Sequence, residues 1–180
     1  MGFSSSWIGT TCSLPKGLLK ELDETMERER RQMMEKMARL HPGLNEFLKK
    51  GTQPMRDPSV FDELVLKNGW HIIWIERFEI TSGNDDLLKR MSVNNRLVAC
   101  FVEEHVMYSA AEEWKDGVNV WKVIHPAPGK ESIVSGKLPS QYQSISDRLK
   151  TLEKVKRDAD YLFDVPVELA ASITGFRHDR

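Results

Sequence analysis

Residues 103–125 read EEHVMYSAAEEWKDGVNVWKVIH, and the Asp116–Gly117 pair near their middle constrains the fold more than any other feature. An Asp-Gly pair accepts the positive φ angles of a two-residue type I′ turn, whose twist matches that of two flanking strands. The run after the turn alternates cleanly. Val118, Val120, Lys122 and Ile124 fall on one face, and Asn119, Trp121, Val123 and His125 on the other. An antiparallel hairpin is therefore expected, with Trp114 and Trp121 flanking the turn and pairing across it, either as core or as exposed anchors.

More strands surround this hairpin. "WHIIWIERFEI" after Gly69 is rich in bulky and β-branched residues and reads as a strand. "RLVACFV" and "HVMYSAAEEW" read as two strands or one long bent one. "DELVLKN" fits a short helix or a strand, and "SIVSGKL" a final strand after the loop "PAPGKE". A short helix is expected near 84–92, capped by Ser82 or Asn84 and packing through Leu87, Leu88 and Met91.

Helices bracket the strand-rich region. Leu18, Leu19, Leu22, Met26, Met33, Met34, Met37 and Leu40 recur at spacings of three and four, predicting an amphipathic helix over 15–40. Its methionine-rich stripe suits either a core or a partner-binding face. "HPG" at 41–43 ends it; "NEFLKK" adds a helical turn and "GTQPMRDPS" a loop. Towards the C terminus, Tyr142, Ile145, Leu149, Leu152 and Val155 mark a helix begun by Pro139. Asp164, Pro166 and Gly175 frame another, so that helices occupy 139–175. The order helix, strands, helices gives an α+β fold: one domain over 1–180, with an antiparallel sheet at 70–136 packed by N- and C-terminal helices. A chain of 180 residues is of one-domain size.

Composition narrows the function. A net charge of −1 does not favour nucleic acid, whose binders carry a basic excess. No apolar run approaches the length of a membrane span. The opening "MGFSSSWIGTTCSLPKG" has neither the basic nor the apolar region of a secretory signal, although its first six residues satisfy the loose myristoylation pattern. Cys12 and Cys100 lie far apart and in no metal-binding spacing, as suits two thiols in a reducing cytoplasm.

Catalytic motifs are absent. The five histidines show neither H-x-x-x-H nor H-E-x-x-H, and no G-x-S-x-G elbow or phosphate-binding loop occurs. With a turn at Asp116–Gly117, His105 would align with position 128 rather than with His125. Neighbouring strand residues point to opposite faces, which separates Glu103 from Glu104 and Glu112 from Glu113. No enzyme activity, cofactor or metal is expected. Acidic charge is the more informative feature: between Glu76 and Asp116 there are nine acidic and five basic residues. Glu103, Glu104, Glu112, Glu113 and Asp116, with Trp114 and Trp121, are the candidate surface for a basic protein partner.

The opening "MGFSSSWI", the block "CFVEEHVMYSAAEEWKDGVNVWKVIH" and the ending "DYLFDVPVELAASITGFRHD" resemble a group of small bacterial cytoplasmic proteins, similar in type to the immunity proteins of polymorphic-toxin systems. The resemblance implies a cytoplasmic protein that neutralises a cognate toxin by protein–protein contact. The alternative is a regulatory or structural module that docks, or forms a homodimer, through the methionine-rich helix.

Overall fold

The computed structural model describes residues 4–40, 62–76, 84–156 and 158–179. The helical turn expected at "NEFLKK", the loop at 51–59, Ser82 and the end of "WHIIWIERFEI" lie outside the described residues. The architecture is the expected single-domain α+β fold with an antiparallel sheet. Within it, two compact units are distinguished, Met1–Leu14 with Phe61–Arg180 and Pro15–Val60. Each is described by itself.

The second unit contains helix α1, Lys16–Leu40. Leu22 and Met26 of its apolar stripe are buried, while Lys20–Glu24 and Glu35–Arg39 form exposed i,i+4 pairs.

The first unit is built on a seven-stranded sheet in the order β2-β3-β1-β4-β5-β6-β7. The strands are β1 Ser4–Thr10, β2 Asp62–Val65, β3 His71–Glu76, β4 Arg96–Glu103, β5 Tyr108–Lys115, β6 Val118–His125 and β7 Ile133–Gly136. The ambiguous "DELVLKN" thus contributes a strand, and "RLVACFVEEHVMYSAAEEW" two strands. The Asp-Gly turn forms as expected: Asp116 and Gly117 take φ values of 50° and 78°, and Lys115 pairs with Val118.

Nothing in the opening residues predicts a strand, yet β1 lies inside the sheet, antiparallel to β3 and β4. Ser5 to Thr10 are all buried there. The serines fit because their neighbours supply partners, as when Trp74 Nε1 donates to Ser5 Oγ at 2.8 Å. Gly9 lies where a Cβ would meet Thr174, Trp70 and Ile72 at 3.1–3.3 Å, so the small residue admits close packing over the strand.

Helices α3 (Gln141–Lys156) and α4 (Asp164–Thr174), linked through a 3₁₀ turn at Tyr161–Phe163, cover one face of the sheet. Trp7, Ile72, Val98, Cys100, Val102, Ala111, Trp121 and Val123 meet Leu149, Val165, Val167, Leu169 and Ala170 in one apolar cluster. Gly175 closes α4 in the left-handed conformation, its N–H donating to Ala171 O at 2.8 Å. Phe163 takes the N-cap position, and Asp164, in the first turn, has its carboxylate engaged by Arg177. The short helix α2 (Asp85–Met91) buries Leu87, Leu88 and Met91 as expected, but Asn84 makes no side-chain cap. Its final turn is tied to the hairpin, since Gly117 N–H donates to Ser92 Oγ at 3.1 Å. Among the described residues, no helix is long and apolar enough to cross a membrane.

Candidate functional site

The hairpin acids were expected on the surface, and the structure corrects this for the central ones. Relative exposure is 0% for Glu112, 7% for Glu113, 6% for Trp114 and 1% for Trp121. The reason is topological. Strand β5 lies between β4 and β6, well inside the sheet, and all six residues from Ser109 to Trp114 are buried. Alternation does separate the two glutamates, but both sides of this strand are interior.

Each glutamate is held by its own set of donors. Glu113 receives Arg96 Nε at 2.8 Å and Nη2 at 3.0 Å in a bidentate pair, and Trp121 Nε1 at 2.8 Å. Arg96 also stands 5.6 Å over the Trp70 ring, and the bond to Glu113 raises its pKa further. Glu112 accepts from Trp114 Nε1 at 2.9 Å and Asn119 Nδ2 at 3.0 Å. Lys122 Nζ forms an ion pair with its other oxygen at 3.3 Å, and lies 3.8 Å from Asp85. Burial outweighs these contacts and pushes the Glu112 carboxyl above the ordinary glutamate range. The tryptophans do not pair across the turn. A register shift at Glu113/Trp114 sets Trp121 opposite Glu113 and Trp114 opposite Asn119.

The remaining candidates lie further out. Glu103 is half-buried at the end of β4; its Oε1 accepts from His105 N at 3.1 Å and lies 2.6 Å from His105 Nδ1. Glu104 and Asp116 are exposed in the turns at the two ends of β5. Only these outer acids present charge to solvent, so the seven candidate residues form no continuous contact surface.

The histidines stay apart, as the turn position implied. Ser109, not His105, is opposite His125. His125 is buried, and its Nε2 lies 2.9 Å from Asp160 Oδ2, just before the 3₁₀ turn. Serine, histidine and aspartate therefore come together, a set with nucleophilic precedent. Here the Ser109 hydroxyl donates to the Phe163 carbonyl at 2.6 Å, and both Ser109 and His125 are fully buried. The arrangement ties the hairpin to the 3₁₀ turn. Nothing local in the sequence signals the His125–Asp160 pair, because 35 residues separate its members.

Beside Asp160 an open groove of about 610 Å³ runs between the β6–β7 loop and the end of α3. Pro128 and Gly129 line one side, and Glu153, Lys154, Asp158, Ala159 and Asp160 the other. Three acids and one lysine thus line the groove, but the Asp160 carboxylate is turned inward, with Oδ2 against buried His125 and Oδ1 itself buried. Asp158 accepts from the Tyr161 hydroxyl at 2.7 Å, which holds its pKa below the usual range, so it stays ionised. Glu153 Oε2 accepts from Leu162 N at 3.3 Å. These bonds fix the Asp158 and Glu153 carboxylates beside the groove.

A second ionic cluster surrounds the chain's end, where Arg177 contacts Asp164 at 3.0 Å, Glu168 at 3.7 Å and Asp179 at 2.6 Å, and Arg148 also pairs with Glu168. Asp164 is raised by burial despite Arg177. This cluster fastens the tail, together with the edge-to-face contact of Phe176 and Trp7 at 5.3 Å. Among the described residues, no group of histidine, cysteine and acidic side chains is placed to hold a metal ion. No family model, curated protein or solved structure matches the chain.

Proposed function

We propose that this chain is a cytoplasmic, immunity-type bacterial protein that neutralises a cognate toxin by binding it, without chemistry of its own, and that the contact is made at the acidic groove rather than at the hairpin. The observation that carries the reading is the groove's acidic lining: Glu153 and Asp158 against Lys154 in an open, concave surface, with Asp160 set behind them. Such a surface steers and orients a basic partner. The acids first favoured, Glu112 and Glu113, are engaged inside the fold and unavailable to a partner.

The test pairs the purified chain with the toxin encoded beside its gene. Reversing two rim charges (E153K/D158K) should weaken binding by at least about tenfold in calorimetry, and should abolish protection of cells expressing the toxin. Affinity unchanged by the double variant, or unchanged between low and high salt, would refute the groove as the contact.

A further inference from the structure

The sheet ends on one side at β7, whose four residues Ile133–Gly136 are all exposed. Ile133 and Val134 are 57% and 43% exposed. Lys137 N–H donates to Val120 O at 2.8 Å, so the Lys137–Val120 pair is hydrogen-bonded. In an antiparallel ladder such pairs alternate with non-bonded ones. Ile133, Ser135 and Lys137 therefore turn their backbone groups towards β6, and Ser132 and Val134 turn theirs to the open edge. Among the described residues no strand pairs with this edge, and an edge of this kind is a template for another strand.

The chemistry of the segment indicates which strand. It reads Glu131-Ser-Ile-Val-Ser-Gly-Lys137 and is self-complementary about Val134. If two copies align antiparallel with Val134 on the two-fold axis, Glu131 of each copy falls opposite Lys137 of the other. Both residues are exposed and flank the two ends of β7, and opposite charges across strands are favourable. The same register makes Val134 meet Val134 as a hydrogen-bonded pair, using the outward N–H and C=O groups. An isologous contact closes on itself, so it ends in a dimer rather than a fibre. Gly136 limits its length: at φ 78° it ends the strand, and a Cβ there would lie 2.2 Å from Val120 O.

We propose that the β7 edge binds a second copy of this chain, joining two sheets through antiparallel β7 pairs with Glu131–Lys137 contacts at both ends. The inference is independent of the groove and its partner. The contact is short, well below the roughly 1,200 Å² of a standard interface, so the dimer is weak and dissociates on dilution.

Sedimentation velocity of the full chain tests this, over concentrations from about 5 to about 500 μM. The natural chain should shift from monomer to dimer. E131K sets like charges at both ends and should weaken the dimer by about tenfold, and K137E should do the same. An equimolar mixture of E131K and K137E should recover the natural affinity, because each end again joins opposite charges. V134P removes an outward N–H without touching the β6 ladder and should leave a folded monomer by circular dichroism. A chain that stays monomeric throughout, or a dimer indifferent to E131K, or single variants that fail to restore each other when mixed, would overturn the proposal.

Discussion

Replacing Glu113 by alanine separates a structural from a surface role for the hairpin acids. The substitution leaves the buried Trp121 indole N–H without its acceptor, 2.8 Å away in the native fold; an orphaned buried donor costs about 1–3 kcal/mol. The bidentate pair with Arg96 is also lost, but the arginine side chain is 40% exposed and water replaces most of that contact, leaving about 0–1 kcal/mol. Removing buried methylenes adds about 1 kcal/mol. The total is about 2–5 kcal/mol, a fall in Tm of about 6–15 °C at about 3 °C per kcal/mol for a chain of this size. E113Q retains an oxygen for Trp121 and should cost only about 1 kcal/mol. Urea denaturation followed by far-UV circular dichroism measures both. W121F removes the donor, so E113A should cost about 1 kcal/mol or more less in that background. Equal stability for E113A and E113Q, or no coupling to W121F, would refute the reasoning. A partner-binding role would instead leave stability unchanged and alter binding.

Glu112 differs from its neighbour because burial raises its pKa. The folded state then holds its proton to higher pH than the unfolded state does, so this group's contribution is full below the unfolded pKa and is lost as pH rises through the folded one. E112Q, which cannot lose a proton, should gain stability relative to the natural chain as pH is raised across that window. A stability difference independent of pH in paired melts would contradict the burial argument. The two thiols should also differ. Cys12 is exposed, whereas Cys100 is buried and held protonated by desolvation. A chromogenic disulfide should titrate one thiol per native chain and two after denaturation, and two fast-reacting native thiols would be inconsistent with the packing of β4.

The parts of the fold written in short-range chemistry were legible in the sequence. The Asp116–Gly117 turn depends on two residues, and helices α2, α3 and α4 depend on spacings of three and four within one element. Strand β1 was not legible, because Ser4–Ser6 have poor strand propensity and are stabilised by neighbours from β3 and β4, many tens of residues away. The groove was equally hidden, since its carboxylates come from the last turns of α3 and the irregular segment after it, and its other side, Pro128 and Gly129, from the distant loop before β7.

The hairpin acids show how a correct local rule leads to the wrong place. Alternation put Glu112 and Glu113 on opposite faces, and they are on opposite faces, but it does not say whether either face is wet. A clue lay one strand away. "RLVACFV" is a continuous apolar run, the pattern of a strand buried on both sides. Its partner in an antiparallel pair lies under the same two covers, so acids on that partner must find donors inside the chain or not be there. The donors are within reach in the hairpin itself and beside it: the indole N–H groups of Trp114 and Trp121, Asn119, Lys122 and Arg96. Acids set among so many internal donors are built to complete a core. Asp158 is ionised on the rim of an open groove, and an acid so placed can find its counter-charge in another molecule.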